Sequence, residues 1–389
     1  MIDSVFSFIF LVAFLSLTLC RAETAEVKRL SLSKLPKLKN DLIIKAALNK
    51  PTSRVPVWMM RQAGRHLPEF RELSNRGEGY DFFSMCRNPN IAVEVSLQPL
   101  DRYGVDAVII FSDILVIPQA MGMKIDMVKG VGPVFQCPLR HPEDIKNIDL
   151  TPDVESTLGY VLDAVNLARQ KIDGRVPLIG FVGGPLSLLM FMIEGRSSKL
   201  LMKLKRWLFV YPDTCHELLS ALSDICVEFL VAQQRAGAQV LQVFESVAVE
   251  SLTQDQYYEF VYPYLSSIAE RVKRQCGDTP LLLFSKGTDY AVEKLAETKF
   301  DCLGLCYTSD VEQVRKRIEG RGKALMGNLD PSCLLADKDV IRKETNRMLN
   351  RFGPKGYIAN LGHGCLPEMS PDNVETFVKC VQEKCFSAK

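Results

Sequence analysis

The chain has 389 residues, of which 47% are apolar and 24% charged, and this ordinary globular balance excludes global disorder. Lysine and arginine (48) nearly match aspartate and glutamate (46), so a net charge of +2 creates no field that would attract nucleic acid, and we expect no nucleic-acid partner. The twelve cysteines form no Cys-x-x-Cys pair and there are only four histidines, which argues against a zinc finger or ribbon.

The chain begins with an uncharged apolar segment, residues 5–20. A membrane-spanning helix needs about 20 apolar residues, so this segment is short for an anchor and suits the core of a signal peptide. Cys20-Arg21-Ala22 offers a cleavage site, although Asp3 replaces the usual basic start. We predict a hydrophobic leader over residues 1–22, a signal peptide, with an uncleaved anchor or an artefactual extension of a cytosolic protein as alternatives.

The leader is followed by a lysine-rich stretch with scattered leucines, which we expect to be partly ordered at most. We assign residues 23–37 to a short basic linker. After Pro51 there is no low-complexity segment, repeat or change of composition. One domain over residues 38–389 is therefore the economical interpretation.

Short apolar runs recur along this domain, and runs of this length are typical of strands buried on both faces. They are residues 107–111, 176–182, 238–244, 281–284, 302–305, 324–326 and 357–361.

Helix patterns lie between these runs. Thr253 to Gln256 form a capping box that opens a helix to about Gln275. Residues 337–352 are amphipathic and end at Gly353-Pro354, and Ser370-Pro371 begins the last helix.

Alternation of strands and helices in one domain predicts a single-domain (β/α)8 TIM barrel, an α/β fold, with a doubly wound sheet as the alternative. Polar and glycine residues follow most of the predicted strands, as they do at the active face of a barrel. Any single such turn is equally consistent with ordinary helix capping.

The most distinctive segment is residues 56–70, in which Arg61 and Arg65 are separated by Gln62, Ala63 and Gly64. Guanidinium groups hold carboxylates through two hydrogen bonds. Gly64 allows the backbone to bend close to a ligand. The segment indicates binding of a substrate with several carboxylates; a helix start with one surface ion pair is the alternative.

Asp113 comes directly after an apolar strand, where a carboxylate is costly to bury without a partner. As an anion it could accept hydrogen bonds from ligand N–H groups and stabilise positive charge that develops there. The alternative is that it caps the next helix.

Ser246 and His363 follow later strands in the same way. Ser246 can donate a hydrogen bond to a carboxylate. His363, between Gly362 and Gly364, could bind a carboxylate or carry a proton near neutral pH. Neither a phosphate-binding G-x-x-x-x-G-K-[ST] loop nor an H-E-x-x-H zinc helix occurs, so nothing requires a nucleotide, a flavin or a metal.

Four motifs in order identify a family resemblance: Met-Arg-Gln-Ala-Gly-Arg, Phe-Ser-Asp-Ile-Leu, Gly-Asn-Leu-Asp-Pro and Ile-Ala-Asn-Leu-Gly-His-Gly. From about Leu38 to its end, the chain resembles the uroporphyrinogen decarboxylase family. The resemblance implies a (β/α)8 barrel and a homodimer without a metal or organic cofactor. It also implies a carboxy-lyase of porphyrin and haem biosynthesis, which removes carbon dioxide from four acetate side chains of uroporphyrinogen III to give coproporphyrinogen III.

The resemblance also implies roles for individual residues. The eight carboxylates of the substrate account for Arg61, Arg65, Ser246 and His363, and the Gln62-Ala63-Gly64 stretch belongs to the same binding loop. Asp113 matches the aspartate on which the four pyrrole N–H groups converge, and we expect it to be catalytic. The family location is the cytoplasm, while the leader raises a plastid-routed or secretory alternative.

Several positions depart from the family pattern. Phe191 stands in place of a tyrosine, Leu186 of a tryptophan, Cys306 of an aspartate and His66 of a tyrosine. One rival hypothesis is therefore a tetrapyrrole-binding protein with impaired catalysis. Another is a zinc-dependent thiol methyltransferase on the same fold, with His363, Cys365 and Cys306 as ligands.

Overall fold

The computed structural model describes residues 27–386 except 129, 199 and 248. Its core is a seven-stranded parallel sheet in the order β1-β4-β5-β6-β7-β8-β9. Each of the seven apolar runs found in the sequence overlaps one of these strands. Their bounds are β1 Val108–Ile109, β4 Leu178–Gly183, β5 Val240–Glu245, β6 Leu281–Ser285, β7 Cys302–Gly304, β8 Ala324–Leu329 and β9 Tyr357–Leu361.

An eighth segment, residues 55–58, lies between the first and last strands of the sheet. Val57 forms a parallel bridge with Ala359 of β9, and its carbonyl accepts a hydrogen bond from Asp106 N–H (2.8 Å), just before β1. The strands therefore follow chain order around a closed ring, which confirms the predicted (β/α)8 barrel. A doubly wound sheet, in which the strand order reverses, is excluded.

A small antiparallel hairpin, which the sequence analysis did not predict, is inserted after the first strand. It consists of β2, Ile125–Val128, and β3, Gly132–Phe135. The hairpin lies beside the end of a later helix, since Phe135 N–H donates to the carbonyl of Gly195 (2.8 Å).

The α-helices of the described residues surround the barrel. In chain order they are α1 Leu42–Ala47, α2 Pro68–Ser74, α3 Phe82–Arg87, α4 Pro89–Tyr103, α5 Val116–Ala120, α6 Val154–Thr157, α7 Gly159–Ile172, α8 Pro185–Glu194, α9 Met202–Val210, α10 Pro212–Ala236, α11 Gln254–Phe260, α12 Tyr262–Cys276, α13 Val292–Glu297, α14 Val311–Arg317, α15 Lys338–Phe352 and α16 Pro371–Gln382. Short 3-10 helices are Leu32–Lys34, Pro142–Asn147, Val249–Ser251, Asp289–Ala291 and Pro331–Leu335.

The starts of the predicted helices are confirmed, but one of these helices is interrupted in its middle. The capping box at Thr253 is formed as expected. The single helix predicted from it is wrong, because the chain breaks at Val261 into α11 and α12. Pro263 explains the break, since proline has no N–H to continue the helix and fits its first turn. The signals for α15 and α16 are confirmed.

The barrel interior is filled by side chains rather than open. Buried residues from the strands form one inner cluster: Trp58, Ile179, Val240, Leu282, Phe284, Cys302, Met326 and Ile358. A second and larger cluster fills the layer between strands and helices. The interior therefore has no room for a ligand, and in barrels of this kind ligands bind at the end of the barrel where the loops lie.

The segment predicted as a basic linker is docked on the outside of the barrel. Arg29 donates to Asp163 on α7 (2.5 Å) and to the carbonyl of Gly159 (2.9 Å). Leu30 exchanges two hydrogen bonds with the Asn166 side chain (2.8 and 2.9 Å). The expectation that this stretch is partly ordered at most is thus wrong for residues 27–37, because polar side chains of α7 satisfy its backbone. The domain boundaries stay a prediction.

The predicted leader, residues 1–22, lies outside the described part of the chain. Within the described part, no helix combines the length and the apolar character needed to cross a bilayer.

Candidate active site

The loop that carries Arg61 and Arg65 is hydrogen-bonded to residues beside β1 and β9, the two strands that flank the eighth segment. Gln62 is fully buried; its side chain donates to the carbonyl of Ala107 (3.0 Å) and accepts from Met59 N–H (3.1 Å). Met60 is held from the other side, donating to Asn360 Oδ1 (3.0 Å) and accepting from Cys365 N–H (2.9 Å). Arg61 therefore emerges between β1 and β9.

The bend in this loop lies at Arg61 and not at Gly64. Arg61 has a φ of +57°, in the left-handed region that non-glycine residues seldom adopt. A Cβ on Gly64 would make only an ordinary contact with the Arg61 carbonyl at 3.7 Å. The left-handed residue of the loop is thus Arg61, and the close approach of a ligand to the backbone at Gly64 stays a prediction. Strained conformations of this kind occur where surrounding bonds hold a functional residue in place.

The Arg61 side chain passes directly over Gly364. A Cβ at position 364 would overlap with the Cδ and Cγ atoms of Arg61, so only glycine leaves room for this path. Gly362 is similarly needed, because a Cβ there would collide with the backbone of Tyr307. The Gly-His-Gly motif is therefore explained by close approach on both sides of His363.

Both arginines are exposed, and Ala63 and Gly64 between them are half-buried. Neither Arg61 nor Arg65 forms a salt bridge with any described residue, whereas many other arginines do. The alternative of a surface ion pair is not seen. Two uncompensated guanidinium groups on one loop are suited to a polyanionic ligand.

Asp113 lies half-buried four residues beyond β1. Its Oδ1 accepts from Leu115 N–H (2.6 Å). Burial raises the pKa of Asp113 to about 6, against the opposing effects of this hydrogen bond and of the Arg61 guanidinium. The next helix, α5, begins at Val116 with Leu115 as its N-cap. Asp113 is therefore not the N-cap of α5, and the charge of Arg61 is near enough to act on its pKa.

Ser246 and His363 are half-buried at the ends of β5 and β9. The Nδ1 atom of His363 accepts from Gly364 N–H (2.8 Å). The neutral ring therefore carries its proton on Nε2. All the candidate residues follow strand ends on the same face of the barrel, where parallel strands bring their carboxyl ends together.

One buried carboxylate at this face was missed by the sequence analysis. Glu245, just before Ser246, is fully buried and accepts hydrogen bonds from the first turn of α8. An apolar strand that ends in glutamate was the available signal.

The departures from the family pattern are mostly apolar and interior. Leu186 and Phe191 lie buried on α8, and Cys306 is buried just after β7. His66 is also buried, and burial lowers its pKa to about 4, so it is neutral. His66 stacks on Tyr103 and, being neutral, adds no charge beside Arg61 and Arg65.

A metal centre is not formed by the described residues, which contain no group of three or more His, Cys, Asp or Glu side chains placed to hold an ion. The set of His363, Cys365 and Cys306 suggested for zinc is thus not assembled. Burial also raises the pKa of the Cys365 thiol to about 12, which opposes the thiolate that zinc requires.

An open cleft of about 440 Å³ lies elsewhere, between α15 and α16. Its walls carry charges of both signs, and Lys379 there is already paired with Glu375 (2.7 Å). Unlike the loop of Arg61, this cleft presents no set of uncompensated like charges.

Solved structures share the fold. A methyltransferase from Methanosarcina mazei superposes with a TM-score of 0.74 at 20% identity, covering 89% of this chain and 99% of its own. A B12-independent methionine synthase from Shewanella sp. W3-18-1 gives a TM-score of 0.54 at 13% identity, covering 90% of this chain and 96% of its own. Fold and site together define a (β/α)8 barrel with a cationic and acidic mouth.

Sequence relatives define the family. The family model for uroporphyrinogen decarboxylase matches residues 38–384. Proteins named uroporphyrinogen decarboxylase are 48% identical in Danio rerio (89% of this chain, 94% of that protein), 45% in Homo sapiens (90% and 95%) and 44% in Salinibacter ruber (90% and 97%). The chain belongs to the uroporphyrinogen decarboxylase family.

Proposed function

We propose that the protein is a carboxy-lyase that converts uroporphyrinogen III to coproporphyrinogen III by removing carbon dioxide from four acetate side chains. The observation that carries the proposal is that Arg61 and Asp113 lie at the same end of the barrel, near enough for the Arg61 charge to lower the pKa of Asp113. Among the described residues, neither of them forms a salt bridge. Such a mouth accepts a molecule that is anionic at its rim and presents N–H donors at its centre.

The rim of the substrate is bound by the loop between residues 61 and 65. Arg61 and Arg65 take carboxylates through paired N–H donors, while His363, beside Arg61, and Ser246, at the end of the more distant β5, also donate to carboxylates. Ala63 and Gly64 lie between the two arginines, and the buried Gln62 side chain holds the loop through its hydrogen bonds to Ala107 and Met59.

The centre of the substrate is bound by Asp113. Its carboxylate accepts hydrogen bonds from the converging pyrrole N–H groups. Protonation of a pyrrole carbon creates a cationic ring that takes up the electron pair left when carbon dioxide departs. A second proton then converts the resulting methylene to a methyl group, and loss of the first proton from the ring carbon restores the neutral pyrrole. The anion of Asp113 stabilises the cationic stage, so the substrate serves as its own electron sink.

Assay of purified protein for carbon dioxide release from uroporphyrinogen III tests the activity, with coproporphyrinogen quantified as the product. Four equivalents of carbon dioxide for each coproporphyrinogen are expected. Tight binding of uroporphyrinogen without turnover would instead establish the impaired tetrapyrrole-binding protein that Phe191 and Leu186 suggest. Stoichiometric zinc in the purified protein would revive the methyltransferase hypothesis.

We also propose that the protein is a homodimer, as the family resemblance implies. Exposed apolar side chains are gathered around α9 and on the neighbouring hairpin: Leu200, Met202, Phe209, Val210, Met127, Val128 and Val131. Such a patch is suited to a second copy of the chain. Phe209→Asp should lower the sedimentation coefficient to that of a monomer, while Val340→Asp on α15 should leave it unchanged.

For the compartment we propose the cytoplasm, by family. N-terminal sequencing of protein isolated from its native cell tests this location. A start near Glu23 would establish cleavage of the leader and transfer across a membrane, into the secretory pathway or a plastid.

A further inference from the structure

The end of β5 carries a buried carboxylate that the proposed chemistry does not use. The Glu245 Oε2 atom accepts from Leu186 N–H (3.0 Å), and Oε1 accepts from Ser187 N–H (2.8 Å). The Ser187 hydroxyl also donates to Oε1. Both oxygens are therefore held by the first turn of α8, whose N–H groups favour an anion.

Ser187 extends this connection to the residue after Ser246. Its hydroxyl oxygen accepts from Val247 N–H (3.3 Å). Ser187 thus links Glu245 and Val247, the residues immediately before and after Ser246, through one chain of hydrogen bonds. Gly184 permits the contact, because a Cβ there would overlap the Glu245 carboxyl group.

We propose that Glu245, acting through Ser187, is a positioning residue that fixes the Ser246 turn against α8 only while its carboxyl group is ionised. This inference rests on the proposed function, in which Ser246 binds a substrate carboxylate. A carboxylate offers lone pairs on both oxygens to its three donors, whereas a carboxylic acid turns one oxygen into a donor. The acid keeps some acceptor capacity but loses its charge, so protonation weakens the hydrogen bonds that hold the turn.

The surroundings allow this change near neutral pH. Burial raises the pKa of Glu245 to about 7, while the bonds from Ser187 and Leu186 oppose the rise. The facing titratable groups are the Cys226 thiol on α10 and the Tyr257 phenol on α11; burial raises the pKa of each, so both stay neutral. Lys286 is the charged residue that follows the adjacent β6, where Ser285 pairs with Glu245.

Positioning and stability then oppose each other. Because the folded pKa of Glu245 lies above its ordinary value of 4.5, its contribution to stability is fully present below pH 4.5 and is lost as pH rises through about 7. The ionised form that holds Ser246 is thus the less stable one, as is common at functional sites.

Glu245→Gln tests the proposal, because glutamine keeps one acceptor oxygen and cannot ionise. The measurement is kcat and KM for uroporphyrinogen across pH 5.5 to 8.5. We expect KM at pH 8 to rise about tenfold, the effect of one lost charge-assisted hydrogen bond, with little change in kcat. The wild-type inflection near pH 7 should disappear. An unchanged KM or a retained inflection would overturn the proposal.

Ser187→Ala keeps the carboxyl group and removes one of the bonds that lower its pKa. The inflection should move to higher pH, and this shift decides the matter if the glutamine variant fails to fold. Glu194→Gln is the matched control, because Glu194 is also buried on α8 but accepts from Lys203 and Leu204 N–H (2.9 and 3.0 Å). It should lower thermal stability and leave KM and the pH profile unchanged.

Amide hydrogen exchange at Val247 gives a second readout that needs no turnover. After correction for intrinsic rates, its protection should fall as pH drops through 7 in the wild type and stay constant in Glu245→Gln. Constant protection in both would refute the proposal. A wild type that shows the exchange effect but no decarboxylation would instead contradict the proposed function.

Discussion

The same two segments of the chain carry an arginine and an aspartate at each end of the barrel. At the end where the strands start, Arg54 and Asp106 form a salt bridge (2.6 Å) with Asp106 1% exposed. Val57 N–H and the Asn40 side chain also donate to this carboxylate (both 2.9 Å). Seven residues further along each segment, Arg61 and Asp113 lie at the other end without a salt bridge between them.

The difference separates stability from function. Asp106 has enough donors to offset the cost of its burial, so nothing is left for a ligand. Asp113 has one hydrogen bond from Leu115 N–H and an exposed guanidinium nearby. The cost of burying the Asp113 carboxylate is thus only partly offset in the free protein, and a ligand that supplies N–H donors would offset the rest.

The largest expected effect is that of Asp113→Ala on activity. If Asp113 stabilises the cationic ring as proposed, removal of its anion should reduce kcat by about a hundred- to a thousand-fold, as for other preorganised electrostatic groups. The thermal unfolding midpoint should stay close to that of the wild type. Turnover near the wild-type rate would show that the cation-stabilising role is wrongly assigned.

Asp106→Asn should produce the opposite result. Loss of a buried ionic partner costs about 3–5 kcal/mol, and the lower value applies because Arg54 is 28% exposed. We expect the free energy of unfolding in urea to fall by about 3 kcal/mol. The kcat of the folded fraction should stay normal; a large loss of kcat at unchanged stability would break the comparison.

The arginine at the active end should affect binding. Arg61→Ala should raise KM by about ten- to a hundred-fold, since charge-assisted hydrogen bonds contribute about 1.5–3 kcal/mol, and an unchanged KM would count against the carboxylate clamp. Gly364→Ala displaces the same side chain and should raise KM less. In a double-mutant cycle, Gly364→Ala should add nothing once Arg61 is removed.

The smallest expected effect is a pH dependence specific to Asp113. Its pKa of about 6 lies above the ordinary 3.8, so its contribution to stability is present below pH 3.8 and lost as pH rises through about 6. We therefore expect the free energy of unfolding in urea of Asp113→Asn, minus that of the wild type, to be larger at pH 7.5 than at pH 4.5. Wild-type kcat/KM should fall below about pH 6 as the anion is neutralised. Equal differences at both pH values would contradict the pKa.

Particular residues show how far sequence patterns reach. The run at residues 357–361 predicted β9 to the residue, because apolar periodicity records burial on both faces. The eighth segment escaped detection because only Val57 forms a bridge and Pro56 interrupts its pattern. The break at Val261 was missed because amphipathic spacing continues through it, although Pro263 was visible.

Residue types and their order by themselves determined the barrel, the family and the list of candidate groups, because strand burial and the four motifs are local properties. Only the tertiary structure decided which of these groups remain available. It turned Gln62 inward, placed the backbone strain on Arg61 rather than Gly64, and enclosed Glu245 under α8. The physical reason is that compensation of a charge depends on donors from distant segments, and no local pattern records them.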